Sequence, residues 1–422
     1  MSKAKISILM VALTMAIVSL IFVISDLKVG SQKKDIKQFD PVDEQKKHVS
    51  KDDKISAQKN DKANASGGYK GESVAEVKGF KAKGLYLSGM TAGDPKRLNN
   101  FINIVKKTEL NALVIDIKEG GRIYYDSSVK LARENNLILK LFEPKDIVNT
   151  LHQNNIYAIA RIVCFKDPGL ALARPDLAIK TPDGSVWKEG KKQTAWLNPY
   201  IKENWKYNID IALEAVKQGF DEIQFDYVRF PSARKSDVDY GQNQKPKTEV
   251  INEFLSMAKK EITDKYGVPV SADVFGIIAE SDVDSLSIGQ NIETIGKYIY
   301  CLCPMIYPSH YANASNGVMG NGVGQSINGV HFTAPDLKPY DVVYNSLLKI
   351  KNRIRDIEGY NAKIRPYLQD FTASYLPKGY YQIYGPEQVR QQIQAVYDAG
   401  FEEWLLWNAS NVYNVKAFKP QN

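Results

Sequence analysis

Cysteine and histidine are scarce in this 422-residue chain. Three cysteines are too few for a disulfide framework. Cys301 and Cys303 stand two apart in an apolar run, where extended geometry keeps them from bonding each other. The four histidines (His48, His152, His310, His331) show no ligand spacing with cysteine or with one another. That argues against a His-based zinc site and against a metal-dependent deacetylase, so no metal and no cofactor is expected. The formal charge is +8, yet Lys and Arg are interspersed with Asp and Glu, and no compact basic stripe carries interleaved aromatics. This argues against nucleic-acid binding. A phosphate-binding turn is also missing. "SGMTAGDP" after the first strand candidate is not the dinucleotide motif, and "GVMGNGVGQSINGVHF" lacks a following Lys-Ser/Thr pair, so it reads as a mobile lid.

Long apolar runs without a charge are absent except at one place. Residues 6–24, "ISILMVALTMAIVSLIFVI", follow Lys3 and Lys5 and are long enough to span a bilayer core. Lysines before the run favour a cytoplasmic N-terminus and an exported remainder. Residues 1–25 therefore read as a transmembrane signal anchor in the cell membrane. A cleaved signal peptide, giving a secreted protein, is the rival, but no small-x-small cleavage site follows. Residues 26–77 are rich in Lys, Asp, Gln, Asn and Ser with almost no apolar periodicity, the composition of a disordered polar stalk.

From residue 78 to 422 the composition is that of a folded domain. Eight apolar runs alternate with helical patterns: 83–89, 112–118, 157–165, 222–230, 268–276, 298–307, 363–371 and 402–410. Most are too apolar for one solvated face, as parallel strands should be. Strict strand–helix alternation predicts a (β/α)8 TIM barrel, an α/β fold, with its last helix short or irregular. Long connections follow strands three and six, on the face where barrel active sites occur.

The stretch "GFDEIQFDYVRFPS" raises the functional question, since it sets Asp226 in the middle of an apolar run. A lone buried charge costs several kcal/mol. Period-2 reading puts Ile223 and Phe225 against helices, and Gln224 and Asp226 toward the barrel axis. The same reading directs Asp116, Lys118, Arg161, Ser271, Asp273 and Asn408 inward. Asp116, Asp226 and Asp273 would then converge near the C-terminal mouth beside Lys118 and Arg161. Paired carboxylates without a metal motif suit glycoside hydrolysis, in which one acid is ionised and the other holds a proton. A structural network closing the barrel top is the alternative for the same residues. Trp187, Trp196 and Trp407 near the mouth could stack on sugar rings or simply pack. Tyr227, Arg229, Tyr307 and His310 would line the rim.

"KGLYLSG", "NALVIDIKEGG", "ARIVCFKDPGLALARPDLAIK", "WLNPY" and "GFDEIQFDYVRFPS" together resemble a bacterial family described as glycosyl hydrolase domains of unassigned activity, over about residues 80–410. The resemblance implies a TIM barrel acting on cell-wall or extracellular polysaccharide. A more distant likeness is to α-amylase-type barrels, whose nucleophile, acid/base and third acid fall on Asp226, Asp273 and Asp370. Strand five offers Asp273 rather than Glu, with Glu280 seven residues on, and Gln224 stands where those barrels carry Arg. Asp370 shares the parity of Ile364 and Leu368, which points it outward unless the strand has ended. The expected catalytic set is Asp226 and Asp273, with Glu280 and Asp370 in reserve. A non-catalytic barrel that grips glycan at the cell surface is the alternative function.

Overall fold

Eight parallel strands close on themselves. They are β1 (Lys83–Leu87), β2 (Ala112–Glu119), β3 (Tyr157–Val163), β4 (Glu222–Asp226), β5 (Val270–Phe275), β6 (Cys301–Ile306), β7 in two pieces (Lys363–Ile364 and Tyr367–Gln369) and β8 (Trp404–Trp407). Each pairs with its sequence neighbour, and β8 returns to β1 through Lys83↔Trp404 and Leu85↔Leu406. The computed structural model describes residues 80–242, 245–311 and 324–421. The expected anchor at 1–25, the expected stalk at 26–77 and part of the Gly-rich segment lie outside the described residues. Among the described residues no helix is long and apolar enough to cross a membrane.

Seven main helices connect the strands: α1 (Pro95–Lys106), α2 (Pro144–His152), α3 (Lys202–Gln218), α4 (Lys247–Ala258), α5 (Asp282–Ile288), α6 (Pro339–Ile354) and α7 (Pro386–Asp398). The local chemistry explains their ends. Asp94 accepts the N–H groups of Lys96 and Arg97 at 2.9 and 3.2 Å, which caps α1 ahead of Pro95. The extension of α4 stops at Gly267, where φ is +72°, a conformation that glycine adopts without a Cβ penalty. After β8 the described residues form only a 3-10 turn, Val415–Ala417, in keeping with the short or irregular last helix expected. The tail runs back under α1, with Phe418 stacked on Trp404 at 6.2 Å and Glu109 N–H donating to Lys419 O at 2.8 Å.

The barrel has two apolar zones. Outside it, Ile223 and Phe225 of β4 meet the helices. Phe254 of α4 lies 5.3 Å from Phe225, 5.4 Å from Phe165 and 6.2 Å from Trp205, ring to ring. Truncating Phe254 to Ala should cost about 3–5 kcal/mol, read as a lower urea midpoint. An unchanged midpoint would show that this aromatic cluster does not hold β4 to its helix. Inside, the filling is layered. At the N-terminal end Arg365 reaches Glu222 and Glu403, both at 2.8 Å. Above it Tyr367 donates to Gln224 Oε1 at 2.7 Å, and Gln224 reaches Cys303 Sγ at 3.5 Å. Alternate residues of β4, namely Glu222, Gln224 and Asp226, thus face the axis in successive layers, and Asp226 is uppermost.

Two irregularities shape the mouth. A β-bulge interrupts β2 between Asp116 and Lys118. The loops after β2 and β3 also touch backbone to backbone at Gly121 and Gly169. A Cβ on Gly121 would fall 2.2 Å from Gly169 N, and φ there is +75°. Only glycine fits that approach.

Candidate active site

One guanidinium organises the mouth. Arg161 of β3 is buried and salt-bridged through Nη1 to Asp116 and through Nη2 to Asp226. Nη1 also lies 3.3 Å from Glu119, and Nε lies 3.8 Å from Asp273 Oδ2. Four carboxyl groups from β2, β4 and β5 therefore meet around a single cation. Tyr86 of β1 donates to Asp116 Oδ2 at 2.6 Å, and its ring lies under Arg161 at 5.4 Å. Asp226 also accepts the N–H of Tyr227. Tyr227 has φ +50°, a left-handed conformation that a bulky residue holds only under constraint from its surroundings.

The four acids differ in surroundings. Asp273 is 1% exposed, and its Oδ1 is sealed with no hydrogen-bond partner. Burial, and then the charge of Asp226, push its pKa well above the ordinary carboxyl range despite the opposing pull of Arg161. Burial also raises Asp116, to about 7, against Arg161. Glu119 is the most open of the group, at 28% side-chain exposure. Such a cluster can keep one carboxyl protonated beside an ionised one, the division of labour that acid–base chemistry needs. Among the described residues no group of His, Cys, Asp and Glu could hold a metal ion.

An aromatic wall flanks the acids on the β6–β8 side. Trp407 lies 6.1 Å from Tyr86, 5.8 Å from Tyr307 and 5.5 Å from Phe371, ring to ring. His310 packs edge-on against Tyr307 at 5.2 Å and bonds Ser309 Oγ at 3.0 Å. Burial lowers its pKa to about 4, so at neutral pH it is an uncharged member of the wall. On the β3–β4 side, Arg229 is sandwiched by Trp196, Tyr227 and Phe275 at 4.6–5.1 Å.

Several expected residues lie elsewhere. Lys118 is 1% exposed and faces the helix layer. It pairs with Asp167 at 2.8 Å, bonds Asn208 of α3 at 3.2 Å and lies over Tyr207. The bulge in β2 reverses its parity, so the alternation that placed it inward fails there. Glu280 accepts the N–H of Asn328 at 3.2 Å, and the cations that act on it are Lys349 and Arg353, both on α6. It does not join the cluster. Asp370 turns outward, as its parity indicated, and Asn414 engages both of its oxygens. Asn408 is consumed by the turn after β8, accepting Ser410 N–H and donating to Val412 O, both at 2.8 Å. Trp187 is buried in the outer core. Trp196 is fully buried, with Nε1 on Glu189 at 3.2 Å, so it buttresses Tyr227 and Arg229 rather than offering a face to a sugar. Gln224 lies a layer beneath the acids.

Tyr86, Glu119 and Phe371 are members of the site that period-2 reading of the acids passed over. Tyr86 had a usable signal, because it alternates with Leu85 and Leu87, which pack outward. Glu119 follows the bulge and Phe371 follows the end of β7, so neither had one.

No curated protein matches the chain. Among solved structures, a hypothetical protein from Ruminiclostridium thermocellum ATCC 27405 is 42% identical, over 45% of this chain and 97% of that one, with a TM-score of 0.42. The PgaB (BpsB) glycoside hydrolase domain from Bordetella bronchiseptica is 11% identical, over 78% of this chain and 94% of that one, with a TM-score of 0.55. The second likeness is one of fold. A family model described as "Putative glycosyl hydrolase domain" matches residues 84–413, from the first barrel strand to the tail beyond the last, and the chain belongs to that family.

Proposed function

We propose that the barrel hydrolyses glycosidic bonds in extracellular or cell-wall polysaccharide, with Asp226 as nucleophile or general base and Asp273 as general acid. The observation that carries this reading is the meeting of Asp226, Asp273 and Asp116 on Arg161, where burial and the charge of Asp226 raise the pKa of Asp273. Family membership supports a hydrolase acting on glycans. The role of Arg161 is to supply the counter-charge of Asp226 in a buried place. The wall of Trp407, Tyr307 and Phe371 offers ring faces and edges to the CH faces of a sugar. In the same proposal, residues 6–24 anchor the chain in the membrane, and the stalk holds the barrel outside it.

The test is release of reducing ends from a panel of bacterial wall and capsule glycans, followed by a pH–rate profile on the best substrate. A protonated Asp273 is active below its raised pKa and is lost above it. The alkaline limb of kcat should therefore lie well above the ordinary carboxyl range. Asp273→Asn should remove that limb and lower kcat by roughly 10²–10⁴-fold. Glu119→Gln serves as the control. If it, and not Asp273→Asn, abolishes the limb, the proton comes from Glu119 and the assignment of the acid fails.

A further inference from the structure

The mouth carries a second charged feature that acid–base chemistry does not use. Arg229 follows β4 and is only 2% exposed. Its guanidinium makes one hydrogen bond, from Nη1 to Phe230 O at 2.8 Å. The rest of its surroundings are ring faces: Phe275 at 4.6 Å, Trp196 at 4.7 Å and Tyr227 at 5.1 Å. Stacking of this kind favours a cation but leaves the in-plane N–H donors unsatisfied. Among the described residues, neither Nε nor Nη2 of Arg229 makes a hydrogen bond; Nη1 alone does. Lys166, from the loop after β3, lies over the same Tyr227 ring at 4.8 Å. One carboxylate, Glu189, stands closest to the pair, 3.7 Å from Lys166, and it also accepts from Trp196. Burial lowers the pKa of Arg229, which is the mark of a cation without a full counter-charge.

An incompletely paired buried cation is costly and invites an anion. The acids nearby do not supply one. Asp226 and Glu119 are paired with Arg161. We infer that Arg229, with Lys166 beside it, is a subsite for an acidic substituent on the glycan (a carboxylate, sulfate or phosphate), so that the polymer taken by this barrel is an anionic one. This deepens the glycosidase reading and rests on it for the word substrate, although the subsite itself is a binding property. A planar guanidinium flanked by rings presents its N–H edge in one direction, the geometry that suits two oxygens of one anion.

The experiment is a binding measurement on the full chain carrying Asp226→Asn, so that turnover does not enter. Calorimetry compares three pairs of oligosaccharides: a uronic-acid series with its carboxyl-reduced form, a sulfated series with its desulfated form, and a phosphodiester-linked series with a neutral backbone. A fourth pair sets a glucosamine series against its N-acetylated form. The expected result is at least a tenfold preference for the charged member of one anionic pair, which names the source of the anion. That preference should fall to below threefold in Arg229→Gln and in Lys166→Gln, and be kept only in part in Arg229→Lys, which retains the charge but not the planar fork. Thermal unfolding of each variant separates loss of the subsite from loss of fold. No preference in any anionic pair, a preference that survives both Gln variants, or tighter binding of the free amine would overturn the inference. If wild-type protein releases no reducing ends yet the anionic preference appears, the hydrolase reading fails and the subsite stands.

Discussion

Asp226→Asn should lower turnover on the order of 10⁴-fold while most of the glycan affinity stays, measured as reducing-end release and by calorimetry. The amide is the same size as the carboxyl but keeps one acceptor oxygen, which can serve Arg161 or the Tyr227 N–H and not both, so the substitution costs one hydrogen bond. Arg161 retains Asp116 and Glu119 as counter-charges. The fold therefore has little reason to give way, and what disappears is the negative charge needed to attack or to activate water. A second consequence follows from electrostatics. The charge of Asp226 is, after burial, the largest influence raising the pKa of Asp273. In the variant that influence is gone and Arg161 still pulls downward, so the remaining activity should lose its alkaline limb at a lower pH than wild type. Wild-type turnover in Asp226→Asn would remove the catalytic role of this residue and leave the glycan-binding barrel as the account of the site.

The parts of the molecule that obey a simple period were legible in the sequence. The strand centres of β1 to β6 and β8 fall inside the expected runs, because buried parallel strands are apolar on both sides and end at polar or glycine punctuation. Parity also placed Arg161, Asp226 and Asp273 on the axis correctly. The failures have local causes. One extra residue in β2 turned Lys118 to the helices, and no pattern in "VIDIKEGG" announces a bulge. Pro366 splits β7, so Asp370 falls past the end of pairing and is taken by the tail. A surface loop would leave Trp187 and Trp196 free to stack on sugar, and plain packing is the other reading. The loop after β3 instead folds a small hairpin, Lys188–Glu189 against Thr194–Ala195, over Trp196 and buries it. Long-range polar contacts were beyond reach altogether. Nothing near Arg365 says that it will meet Glu222, 143 residues away.

Arg161→Met should show what holds the mouth together. The variant leaves Asp116, Glu119, Asp226 and Asp273 facing one another without the cation that now touches each of them. Removing one partner of a buried ion pair costs about 3–5 kcal/mol, because the others remain buried and uncompensated. The sign of the pH dependence is fixed by the same geometry. Like charges in a dry place raise one another's folded-state pKa values above those of the unfolded chain, so the native state binds more protons than the unfolded one. Stability then falls as pH rises through that window. Asp116 already stands at about 7 with the guanidinium in place, so without it the window extends past neutrality. In urea the variant should lose most of its stability at pH 8 and recover a large part of it at pH 5, where the acids take up protons and can donate to one another. Wild-type protein should show a smaller difference between the two pH values, since Arg161 offsets much of the repulsion. Equal midpoints for variant and wild type at both pH values would mean that the acids do not need their common cation, and the electrostatic basis assigned to this site would be wrong.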